Sequence, residues 1–410
     1  MKRYLFLLLF LGFYASAQVK ETAVERIKKL SSDEFHGRGY VQNGMRSSAE
    51  YIRKELQSLG VQSAADNFFQ YTPAFPVNTF PFALEFSYKS NKADEKIVLE
   101  TGKDYLLHPS SGVVSFKNKR VVSISKLDHI NKLKDNALYY LDKSTVDPEE
   151  LAEKVEFFLK KSQIKNSVLL IRDTTKFTWY PSMKNSQNAV IYVKHSLAET
   201  KINLDIKNDY QRAFTGINVI GKVTGERNDS AIFISAHYDH LGRLGDHLFP
   251  GANDNASGVA MTLSLAGYYA QNKPKFDTYF LFTCGEEIGL VGSYFYIQDP
   301  IIPLSKIKLL VNLDMVGTGD EGIAVVNGLK YARFVELVKG SKEEFAKVKI
   351  RGEACNSDHC LFDREGVPAV FIYTLGGQQA YHDVYDQVEG LSLHAYEALY
   401  RALIYSINEY

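Results

Sequence analysis

The chain has 410 residues, with 48 basic and 48 acidic side chains, 45 % hydrophobic residues and 23 % charged ones. It is too apolar and too evenly charged to be disordered, and without a basic excess it lacks the electrostatic footprint of a nucleic-acid binder. The length suits two domains, or one large domain with an insertion.

In chain order, Lys2 and Arg3 come first, followed by an apolar run from Leu5 to Phe13 and the small residues Ala15-Ser16-Ala17. The run is too short for a stable bilayer anchor, and the pattern is that of a cleavable export signal over residues 1–17. The mature chain would then begin at Gln18, periplasmic or extracellular, with no membrane anchor after cleavage. No cysteine follows the run to carry a lipid.

Residues 22–32 are predicted helical, with Val24, Ile27 and Leu30 on one face. A second helix is expected over 47–59, stopped by Gly60. Residues 18–84 are taken as the first part of the main domain. From 85 to 211 the chain is richer in Lys and Asn, with short strand-like pieces at 167–171 and 189–193 and an amphipathic helix at 149–161. This stretch reads as an inserted domain.

Residues 212–410 change character. Buried strands are expected at 231–236, 278–283, 307–313 and 369–373, each a short apolar run. Helices are expected at 257–270, 290–298 and 391–408. Strands alternating with helices indicate an α/β fold with a mostly parallel sheet.

Chemistry-bearing residues gather where those strands end, where open α/β sheets bind ligands. His237-Tyr238-Asp239-His240 follows the first strand, and Asp239 is placed to orient the His237 imidazole. Gly251-Ala252-Asn253-Asp254-Asn255-Ala256-Ser257-Gly258 turns into a helix with one central carboxylate, Asp254. Cys284-Gly285-Glu286-Glu287, Asn312-Leu313-Asp314-Met315 and Tyr381-His382-Asp383-Val384-Tyr385-Asp386 supply the rest. Singly, each could be a solvated strand end or a structural hydrogen bond. Converging, they make a mixed imidazole–carboxylate set that suits zinc, with cobalt or manganese as alternatives. His240 and His247 are read as structural or surface residues. Of three cysteines, Cys355 and Cys360 are near enough to close a short loop in an oxidising compartment, leaving Cys284 free.

These motifs, with Ser357-Asp358-His359 and the early segment from Leu30 to Gly39, occur in the order of a known family. The sequence resembles the co-catalytic zinc aminopeptidases, the metallopeptidase family that also contains glutamate carboxypeptidase II, the transferrin receptor and glutaminyl cyclases. The resemblance implies a zinc exopeptidase-like sheet with helices on both faces. It implies two Zn2+ per chain, one completed by His237 and Asp314, the other by Glu287 and His382, with Asp254 bridging. Glu286 would be the general base, Asp239 would orient His237, and His359 would lie on the substrate side. Residues 85–211 would correspond to a protease-associated-like insert. The implied activity is aminopeptidase hydrolysis of peptide substrates. A carboxypeptidase or dipeptidase on the same site remains open and would need a cation such as Arg243 or Arg364 for the substrate carboxylate. A glutaminyl cyclase and a non-catalytic receptor-like binding protein are further alternatives. Oligomeric state and preferred substrate residue stay open.

Overall fold

The structure is a computed structural model describing residues 18–89, 95–124, 133–160 and 163–410. The expected export signal, residues 1–17, lies outside the described residues. Among those, no helix is long and apolar enough to cross a membrane.

Seven strands carry most of the main sheet: β1 Ile217–Val223, β2 Arg227–His237, β3 Phe276–Thr283, β4 Ile307–Leu313, β5 Gly322–Val326, β6 Val348–Ile350 and β7 Ala369–Leu375. Their spatial order is β1-β3-β2-β4-β7-β5-β6, and the early strands Gln62–Ser63 and Phe69–Tyr71 both pair with β1. β3, β2, β4 and β7 form a parallel centre. The expected α/β class therefore holds, but the flanks differ. β1 is antiparallel to β3 and β5 antiparallel to β7. The short connection from β4 to β5 explains the second reversal: residues 314–321 are too few for the crossover that a parallel return requires.

The central strands are apolar on both sides because both sides are covered. Ile232, Ile234 and Ala236 of β2 face one core, Ala231 and Phe233 the other. The first core takes in α1 (residues 18–30), α2 (Gly44–Ser58), α4 (Gly258–Gln271), α6 (Ala332–Gly340) and α8 (Tyr396–Glu409). The second is closed by Tyr296 of α5 (Val291–Gln298) and Phe362 of α7 (His359–Arg364). Each such aromatic or aliphatic side chain contributes about 1.5–3 kcal/mol on burial, so strand register, and with it the position of each strand end, is firmly set.

A second, eight-stranded sheet is built from residues 85–206. Its α3 (Pro148–Lys160) lays Leu151, Val155, Phe158 and Leu159 on one face, over Leu141, Leu169 and Ile171. The other face holds a separate core that reaches Leu241, Leu244 and Phe249, which lie in the loop after β2. The two sheets therefore meet beside the loops that follow the parallel strands.

Candidate metal centre

His237 is the last residue of β2, and Asp314 directly follows β4. Two residues beyond β3, Gly285 at φ +66° lets the chain turn so that Glu286 and Glu287 follow the strand end. Asp254 sits in the turn Ala252–Ser257 that leads into α4. His382 lies in the loop between β7 and α8.

The structure brings five of these side chains together. His237 Nε2 lies 3.3 Å from Asp254 Oδ1 and 3.4 Å from Asp314 Oδ1. His382 Nε2 lies 3.1 Å from Asp254 Oδ2 and 3.0 Å from Glu287 Oε2. Asp254 therefore offers one carboxylate oxygen to each half of the cluster. His237, Asp254 and Glu287 each bring a donor atom within 4.8 Å of the others.

Each imidazole is fixed through its other nitrogen. His382 Nδ1 is 3.0 Å from the Trp179 carbonyl, and His237 Nδ1 is 3.2 Å from the Asp239 carbonyl. A carbonyl only accepts, so both Nδ1 atoms carry hydrogen and both Nε2 atoms can present a lone pair to a cation. The expectation for Asp239 shifts here. Its main-chain oxygen is the atom that meets His237, while its carboxylate is 3.8 Å away. That carboxylate instead accepts the backbone N–H groups of Glu286 and Glu287 at 3.1 and 3.4 Å and the Tyr40 hydroxyl at 3.3 Å.

Charge is concentrated here, and within the chain the imidazoles offset it only in part. Burial pushes the Glu286 carboxyl well above its usual range; His237 opposes this, while Glu287 and Asp314 add to it. For Glu287, burial and Asp254 oppose ionisation, but the histidines 382 and 240 outweigh them and hold it at about 2. For Asp254, burial is outweighed by hydrogen bonds with His237 and His382, which hold it well below the usual range. Two ready Nε2 atoms among crowded carboxylates form a donor set that fits zinc.

Residues that the sequence reading left without a role support this set. Arg38 is fully buried and donates to the carbonyls of Leu30, Tyr238, Pro250, Gly251 and Asp254 at 2.7–3.1 Å. It ties the early Leu30–Gly39 segment to the loops carrying His237 and Asp254. Gly251 is required beside it: a Cβ there would lie 2.2 Å from the Asp254 carbonyl oxygen and 2.5 Å from the Arg38 guanidinium. The Asp386 carboxylate accepts the backbone N–H groups of Asn253 and Asp254 at 2.9 and 3.0 Å. His240, read from sequence as structural or surface, is buried and its Nδ1 is 2.6 Å from Glu287 Oε1, which leaves Oε2 for the His382 side. A chain of hydroxyl and amide contacts from Ser235 through Asn312 and Ser357 reaches Asp314 Oδ2, each step 2.8 Å. Asp358 accepts from Ser293 at 2.6 Å and from Thr283.

His359 lies apart from an open face. It is fully buried, with Nε2 3.0 Å from the Ala354 carbonyl and its ring against Phe371. Arg243 is paired with Asp33, and Arg364 is exposed at the end of α7. His247 is partly exposed, 3.8 Å from Glu100.

Residues 218–407 match Peptidase family M28, in agreement with the resemblance carried by the motifs. Among curated proteins, a vacuolar membrane protease of Candida glabrata is 35 % identical over 107 residues, 26 % of this chain and 11 % of that protein. A probable leucine aminopeptidase 2 of Trichophyton verrucosum is 27 % identical over 224 residues, 47 % of this chain and 44 % of that protein. The chain spans about a tenth to a quarter of the length of the first curated relatives it matches. Among solved structures, a zinc aminopeptidase from Bacillus subtilis superposes with a TM-score of 0.66 at 19 % identity, covering 94 % of each chain. A Bacteroides thetaiotaomicron glutaminyl cyclase gives 0.51 at 12 % identity over 95 % of this chain and 97 % of that one. At these identities the two structures share the fold.

Proposed function

We propose that this chain is an exported zinc-dependent exopeptidase, an aminopeptidase that removes N-terminal residues from peptides. The observation that carries the reading is the position of Asp254, with one carboxylate oxygen toward each of two Nε2 atoms and a second carboxylate beside each histidine. His237 and Asp314 would hold one zinc, Glu287 and His382 the other, and Asp254 both. Such a pair supplies Lewis acidity and a hydroxide nucleophile at neutral pH when bound. Glu286 would be the general base: burial raises its carboxyl in the metal-free chain, the zinc charge beside it would favour the ionised form, and that carboxylate would take a proton from the attacking water and deliver it to the leaving amine. Asp239 keeps Glu286 aimed by holding its backbone N–H. Trp179 and Asp239 hold the histidine tautomers through their carbonyls.

A carboxypeptidase needs a cation to meet the substrate carboxylate; Arg243 is paired with Asp33, and Arg364 is exposed at the end of α7. Export is supported by the signal pattern of residues 1–17 and by the Cys355–Cys360 disulfide, since such bonds persist in oxidising compartments. Residues 85–211 are proposed as an inserted domain.

A panel of peptides with free and blocked N-termini tests the reading. Release of N-terminal residues from free peptides only, abolished by a strong chelator and restored by zinc or cobalt, is the expected result. Full activity in metal-free protein, release from the C-terminus, or conversion of N-terminal glutamine peptides with loss of ammonia instead of cleavage would each overturn it.

A further inference from the structure

Residues 173–181 leave the second-sheet strand Val168–Arg172 as an irregular strap and run to the His382 loop. Trp179 and His382 are joined twice. The Trp179 N–H donates to the His382 carbonyl at 3.0 Å, and His382 Nδ1–H donates to the Trp179 carbonyl at 3.0 Å. The strap is held on the second-sheet side by the Trp179 indole N–H, which donates to the Leu107 carbonyl at 3.0 Å, while that ring stacks on Phe249 of the loop after β2. The edge of Tyr180 packs on the His382 ring at 4.5 Å between centroids. One step further, Lys176 pairs with the buried Asp383 carboxylate at 2.9 Å and also donates to the Gln379 carbonyl. Asp383 in turn accepts the Tyr385 N–H at 2.9 Å, which shapes the turn just after His382.

No comparable contact from the second sheet reaches His237 or Asp314 among the described residues. Those two are held from within the main sheet, by Asp239 and by the Ser235–Asn312–Ser357 chain. The two halves of the cluster therefore have different supports.

We infer that the second sheet is a working part of the metal centre, with Lys176 and Trp179 as positioning residues that set the affinity of the metal position held by Glu287 and His382 and leave the His237–Asp314 position unaffected. This rests on the two-metal reading above. The physical basis is ring orientation: with Nδ1–H held by the Trp179 carbonyl, Nε2 is the nitrogen that faces the cluster and gives up its proton to a cation. The coupling is reciprocal, so a metal at this position also fastens the strap.

Zinc titration of chelator-treated full-length protein, followed with cobalt absorbance as a second probe, separates the outcomes. Lys176→Met keeps the stem and removes the charge; Lys176→Arg restores it. Thermal unfolding confirms that each variant folds. In wild type two affinities are expected. In Lys176→Met one of them weakens about tenfold and the other stays within about twofold, and Lys176→Arg recovers most of the loss. Zinc should also slow hydrogen exchange at the Trp179 amide in wild type. Two zinc ions bound by wild type, with Lys176→Met leaving both affinities unchanged or weakening both equally, would overturn this inference alone. Exchange at Trp179 that ignores zinc would do the same. A wild type that binds no zinc would overturn it together with the reading beneath it.

Discussion

His237 and His382 show how a single ring can be prepared for a cation before the cation arrives. Burial works against a charge on His382, but Glu287 and Asp254 outweigh it and raise its pKa to about 11. Burial likewise opposes His237, and Asp314, Glu286 and neighbouring carboxylates raise it well above the usual imidazole value. In the metal-free protein both rings are therefore biased toward the protonated form, in which the extra proton offsets part of the carboxylate repulsion. Zinc has to displace those protons. Binding to chelator-treated protein at pH 7 should release protons from these imidazoles. Calorimetric heats measured in buffers of different ionisation enthalpy read this directly, and heats that do not depend on the buffer would contradict it.

At the level of elements, the segment from Cys355 to Cys360 shows how a loop is made to serve a strand end. The disulfide closes over Ser357 and Asp358, and Ser357 then meets Asp314 while Asp358 meets Ser293 and Thr283. Cys284 is buried, and burial raises its thiol well above the usual value. Without reductant, the native protein should present almost no reactive thiol, one after denaturation, and three only after reduction. Three thiols in denatured, unreduced protein would show that the bond is absent.

The same elements show what a sequence can and cannot disclose. β2, β3 and β4 are legible because a strand covered on both faces is an apolar run, and a polar residue at its end stands out. His237, the Glu286–Glu287 pair and Asp314 stand out that way and Asp254 and His382 through their motifs, while the choice of Glu287 over Glu286 as a candidate ligand is only what the family resemblance implies. β5, β6 and α7 are short and were not singled out, because a few buried residues carry no periodic signal. Arg38 and Asp386 act on main-chain N–H and carbonyl groups, and Trp179 acts with its own, so neither spacing nor side-chain chemistry announces them. His240 was set aside because a histidine next to a ligand motif has no sequence mark separating a supporting hydrogen bond from a surface position. The connection between strap and His382 joins residues 203 apart, a distance at which only folding reveals the contact.

Across the whole molecule, two sheets meet beside the loops that follow the parallel strands, and the cluster draws on both. The main sheet delivers four of the five candidate ligands through strand ends and the turn before α4, and the loop after β7 adds His382. The second sheet steadies that last ligand from outside. In the proposed function two adjacent glutamates divide the labour: Glu287 would hold the metal beside His382, and Glu286 would stay off it and move the proton. Metal content and steady-state kinetics of Glu286→Gln and Glu287→Gln, measured side by side, test that division. Glu286→Gln should keep about two zinc ions per chain and lose kcat by on the order of a hundredfold or more, with no recovery in excess zinc. Glu287→Gln should lose one zinc, because an amide is a poorer ligand than a carboxylate, and regain part of its activity as zinc is raised. Loss of metal from Glu286→Gln with full retention in Glu287→Gln, or full activity in both, would contradict the account.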